Sequence, residues 1–192
     1  MGMILGKISV ETPKYVLVAT ADDYEIRKYP PSVVAEVTYD PAQLNSDRDG
    51  GFMILAKYIG AVGNPQNSKP EKIAMTAPVI TKTASEKIAM TKGEGELVTM
   101  GFILPSKYVR AEEAPRPVDE RVVIREEGEK KYGVVKFSGV AGEEVVAEKV
   151  KVLRECLERD GYKVLGDFVL ARYNPPWTLP PFRTNEVIIP VH

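Results

Sequence analysis

Helical periodicity occurs at only two places in this chain, and short runs of β-branched and aromatic residues bracket both. At the first, Phe52, Leu55, Ala56 and Ile59 recur at i, i+3, i+4 and i+7 and Gly60 supplies a stop, which predicts a helix over residues 49–60. At the second, Glu143 and Glu144 favour the positive end of the helix dipole, Val146, Val150, Leu153 and Leu157 form the apolar stripe, and Gly161 ends it. Around them, residues 15–20, 24–29, 33–39, 97–104, 122–126, 132–137, 168–173 and 187–191 read as strands, separated by turn formers such as Asp22-Asp23 and Pro30-Pro31. In the strand over 33–39, Val33, Ala35, Val37 and Tyr39 share one face and Glu36 and Thr38 the other, as in a half-buried antiparallel strand. Strands, helix, strands occur twice in succession. The chain is therefore expected to be α+β, with two similar halves whose sheets pack or curl together around one core.

With 192 residues, 44% of them hydrophobic, the chain supports one substantial core, so residues 1–192 are expected to form a single domain. Residues 1–12 read as a flexible N-terminal segment, and the polar stretch 63–70 reads as a mobile loop because Gly, Pro, Asn and Ser resist regular structure. The 26 basic and 27 acidic residues are mixed along the chain, which leaves no cationic field to attract nucleic acid or an anionic membrane. No stretch approaches the ~20 apolar residues that span a bilayer. The N-terminal apolar run is too short for a signal peptide, and Gly6 stands where a myristoylation pattern requires Ser or Thr. The single Cys156 forms no internal disulfide, which favours a reducing compartment; a cytoplasmic protein is expected. The hexapeptide EKIAMT occurs at 71–76 and again at 86–91, and reads as a duplicated strand or extended loop.

Signatures of catalysis fail on inspection. A nucleophilic pair would need Cys156 and His192, but Cys156 lies within the second helical pattern and the terminal His192 is expected to be mobile. The acidic pairs Asp22-Asp23, Glu112-Glu113 and Glu126-Glu127 fall in or beside turns, and Gly93-Glu94-Gly95 precedes a strand rather than the helix a phosphate loop needs. No catalytic residue and no metal site is assigned. The first helix is more informative: between Phe52 and Ile59 only Lys57 is charged, so its apolar surface exceeds a single stripe. Either more protein or a bound apolar ligand or partner covers the surplus. Met53 and Lys57 sit at i and i+4 beside the stripe; the Lys57 ammonium either meets a ligand carboxylate or snorkels to solvent. Near the C-terminus, YNPPWTLPPFRTNEV sets Tyr173, Trp177 and Phe182 among four prolines, a stiff loop that suits a pocket wall or a plug over one end of a sheet.

These segments resemble the SOUL family, which includes the haem-binding proteins of animals and plants. Tyr24-Glu25-Ile26-Arg27 resembles the family's opening, Ala56-Lys57-Tyr58 the end of its first helix, and Met75-Thr76-Ala77-Pro78-Val79 its Met-Thr-x-Pro-Val signature. Tyr173-Asn174-Pro175-Pro176 with Arg183-Thr184-Asn185-Glu186-Val187 is the most specific match, and the texture is closest to plant members. The resemblance implies a distorted antiparallel β-barrel of two βαββ-like halves with two long helices packed outside. It also implies a non-covalent haem or protoporphyrin site along the first helix, facing Tyr173. Carried over by motif position, its contacts are Phe52, Leu55, Ala56, Lys57, Tyr58 and Tyr173, to which the helical wheel and the stiff loop add Met53 and Trp177. Acidic Asp49 replaces a basic residue found near the start of this helix in some haem-binding members, and no histidine lies in the helix, so no axial His is obligatory. The expected protein is a monomeric cytosolic carrier or buffer of tetrapyrroles, with a protein-interaction module as the alternative.

Overall fold

The computed structural model describes residues 5–41, 50–83 and 97–192. The expectations for Asp49, the second EKIAMT copy and Gly93-Glu94-Gly95 lie outside them. Nine strands form: β1 (Val16–Thr20), β2 (Glu25–Tyr29), β3 (Ser32–Tyr39), β4 (Val79–Thr83), β5 (Val98–Ile103), β6 (Val122–Glu127), β7 (Lys130–Phe137), β8 (Val169–Arg172) and β9 (Asn185–Val191). The helices are α1 (Gly50–Ile59) and α2 (Glu143–Arg159). In chain order, β3-α1-β4-β5 and β7-α2-β8-β9 each spell βαββ. Strands β1-β2-β7-β9-β8 are hydrogen-bonded in that order, and β5-β3-β6 in theirs, every pair antiparallel, an α+β arrangement as expected.

The described residues group into two compact units: those within 1–31, 77–80 and 128–192 make the first, those within 32–76 and 81–127 the second. In the first, α2 lies against β7 and β9. Its stripe of Val146, Leu153, Cys156 and Leu157 is buried with Ile26, Leu170, Val187, Ile189 and Val191, residues that alternate along their strands toward the helix. Gly133 lets the helix approach, because a Cβ there would lie 2.7 Å from a methyl of Leu157. The C-terminal end of α2 is tied by the Tyr24 hydroxyl, which donates to Asp160 over 2.6 Å.

In the second unit, α1 packs on β3, β5 and β6. Close approach again falls on a glycine, now on the helix: a Cβ at Gly51 would sit 2.4 Å from the Tyr39 ring. Gly60, with φ of 75°, ends α1 as its sequence predicts. The loop at 63–70 has a specific anchor. The buried Asn67 side chain donates to the carbonyls of Tyr58 and Glu71, and its oxygen accepts from the amides of Lys69 and Glu71. The first EKIAMT copy is loop, not strand; β4 begins after it, at Val79.

Candidate functional site

On α1, a period of 3.6 divides the predicted contact residues between two environments. Leu55 and Ala56 have no exposed surface and Tyr58 almost none. Tyr58 is fixed by its hydroxyl, which donates to the Pro115 carbonyl over 2.8 Å, and burial holds its proton well above the ordinary tyrosine range. These three side chains serve the core of their own unit. Phe52 is half-buried, its ring edge-on to Phe102 at 5.4 Å between centroids. Met53 and Lys57, one turn apart, are exposed, and Ile54 is half-buried. The surface α1 offers to a ligand is therefore narrower than its sequence implies: a thioether and an ammonium, flanked by partly covered apolar side chains.

The loop after β8 is held by its own polar groups. The Arg183 guanidinium donates from Nε to the Thr178 carbonyl at 2.7 Å and from Nη2 to the Pro176 carbonyl at 2.6 Å. The Asn174 side chain donates to the Gly6 carbonyl and accepts from the Thr184 amide. Pinned in this way, the loop leaves Trp177 65% exposed. Neighbouring Tyr173 is only half-exposed, and its hydroxyl donates to Glu186 Oε2 over 2.8 Å. Burial first, and then the Glu186 charge, push the Tyr173 pKa far above its ordinary value. Tyr173 therefore keeps its proton at neutral pH.

Glu186 belongs to a polar cluster on the face of the first unit's strands opposite α2. Its other oxygen accepts from Arg27 Nη1 at 2.8 Å, and Arg27 Nε donates to Glu25 at 2.6 Å. Arg27 lies over the Tyr15 ring, 4.3 Å from its centroid, and also donates to the Tyr29 hydroxyl. Tyr29 in turn meets Tyr15 and Tyr132 ring to ring. Burial works against the Arg27 charge, but the Tyr29 hydrogen bond and Glu186 outweigh it and hold the proton more tightly than in water. Burial pushes the Tyr29 hydroxyl up to about 12. The motif residues Arg27 and Glu186 thus act together as a buried ion pair, a role that reading the sequence did not assign. The available signal is Glu25, Arg27 and Tyr29 alternating opposite Ile26, but a charged strand face reads as solvent-facing until its partner, 159 residues away, is known.

The second unit repeats the principle on a smaller scale. Glu36, expected on an open strand face, is buried, with Lys82 Nζ 3.2 Å from one oxygen and Arg125 Nε 3.2 Å from the other. Among the described residues there is no cluster of three or more His, Cys, Asp or Glu side chains able to hold a metal ion. No helix among them is long and apolar enough to cross a membrane.

Comparison with solved structures shows the same fold at low identity. The C-terminal domain of EcmrR superposes with a TM-score of 0.58 at 13% identity, covering 88% of this chain and 98% of that one. A hydrolase from Listeria innocua gives a TM-score of 0.57 at 17% identity, covering 91% and 94%. No curated protein matches the chain. The model of the SOUL heme-binding proteins, however, matches residues 10–190, spanning both βαββ runs, the Arg27–Glu186 pair and the pinned loop: the chain belongs to the SOUL heme-binding protein family.

Proposed function

We propose that this protein is a non-catalytic, cytoplasmic carrier or buffer of haem and related porphyrins, of the plant type, and that it binds the macrocycle on the outer face of α1. The observation that carries the reading, beyond family membership, is the exposed Met53–Lys57 pair beside half-buried Phe52 and Ile54. A flat apolar ring lies on the thioether and the partly covered side chains, and the ammonium meets a propionate at the rim. Little of the affinity should come from iron, since the sequence has one histidine, at position 192, and the Tyr173 proton is held by Glu186.

Titration with haemin and with metal-free protoporphyrin, following the Soret band and Trp177 fluorescence, tests this reading. The two ligands should bind within about tenfold of each other. Because Leu55 is fully buried, a charge there would report on folding; Met53→Asp is the informative change and should weaken binding severely. Lys57→Ala should weaken it only a few-fold, more at low salt than at high. Parent-like binding by both variants would move the site off α1.

A second reading, a protein-docking module, is favoured by Trp177: a large aromatic side chain, 65% exposed, on a loop pinned by Arg183. The Listeria hydrolase offers the third, hydrolysis of a small ligand, but the likeness is one of fold alone. Turnover of a panel of activated esters would support it, and its absence the first reading.

A further inference from the structure

We propose that the outer edge of β1 is a contact surface for a second copy of this chain. β1 stands at the end of the strand order, with β2 its one partner among the described strands. Val16, Leu17 and Val18 are 64, 52 and 50% exposed, and Tyr15 before them is exposed as well. Edge strands commonly carry Lys or Pro to block association, whereas residues 15–21 contain neither.

The charges at the two ends of this run select the partner. Lys14 precedes it, Asp22 and Asp23 follow it in the turn to β2, and all three are exposed. An antiparallel strand from a second copy runs the opposite way, so a two-fold axis through the middle of β1 sets each Lys14 beside the other copy's Asp22-Asp23 pair, twice over. A parallel pairing in register would instead bring Lys14 to Lys14. An antiparallel partner must carry the same order of charges, basic before and acidic after an apolar strand; the chain itself supplies it. The bulge between Leu17 and Ala19 lies near the axis, so residues 15–17 of one copy face 19–21 of the other on each side of it. This surface departs from the monomer expected from sequence and is independent of the porphyrin reading.

Sedimentation equilibrium on the full chain, over a range of concentrations, tests the proposal. The parent should show a reversible monomer–dimer equilibrium. Leu17→Lys should be monomeric, and Lys14→Glu should weaken the dimer about tenfold. Lys14→Glu combined with Asp22→Lys and Asp23→Lys restores the complementarity with its signs exchanged and should recover association. Circular dichroism establishes that each variant is folded; if Leu17→Lys is not, the charge series decides alone, since its positions are exposed. A parent that stays monomeric at its highest soluble concentration, or a dimer indifferent to the charge series, overturns the proposal.

Discussion

Arg27 and Glu186 show what a single buried pair imposes on its neighbours. Each side chain is 5% exposed, so removing one partner leaves the other as an uncompensated charge. Arg27→Met is expected to cost about 3–5 kcal/mol in urea unfolding, whereas Tyr173→Phe, which spares the ion pair and loses one hydrogen bond, should cost about 1–2 kcal/mol. The reverse order would place the Tyr173 hydroxyl, not the ion pair, at the centre of the cluster. Asp160 gives a pH signature. The Arg159 guanidinium and the Tyr24 hydroxyl lower its carboxyl from 3.8 to about 2. A folded-state pKa below the unfolded value gives stability that is present above the unfolded pKa and lost as pH falls through the folded one. Asp160→Asn should therefore flatten the acid limb of a stability–pH curve between 3.8 and about 2.

At the level of elements, each helix meets its sheet at a glycine, and α2 offers the cleaner test because its contact is with a fully buried side chain. Gly133→Ala pushes a methyl against Leu157 and should destabilise by about 1–3 kcal/mol, measured by thermal melting. Gly128→Ala, where an added Cβ meets nothing within 4 Å, is the control and should change little. The helices were legible because their ends are local chemistry: Gly60 and Gly161 both take positive φ, which other residues resist. Most strands were legible from alternation. β4 was not, because the EKIAMT repeat places the regular pattern upstream of it, in a segment that forms no strand. For the candidate site, period alone placed Met53 and Lys57 beside the stripe, but could not show that Tyr58 turns inward to the Pro115 carbonyl. That inward turn depends on a loop distant in sequence. Long-range partners, as for Arg27 and Glu36, are what a local pattern lacks.

For the whole molecule, a net charge of −1 and a sequence pI near 6.0 mean that mutual repulsion between copies is weakest just below neutrality. Solubility in a polyethylene glycol precipitation series should pass through a minimum near pH 6 and rise on either side. The single cysteine has a different consequence. Cys156 sits under α2 among Leu153, Leu157 and Ile189, and the chain has no other thiol. A thiol reagent reacts with Cys156 while the helix is lifted from its strands, so at reagent concentrations where labelling outpaces reclosing the rate counts those openings one at a time. Gly133→Ala should quicken that count and Gly128→Ala leave it alone. The second unit, lacking a thiol, is silent to the reagent. The chain thus carries a chemical clock that reports how often one half breathes while the other goes unseen.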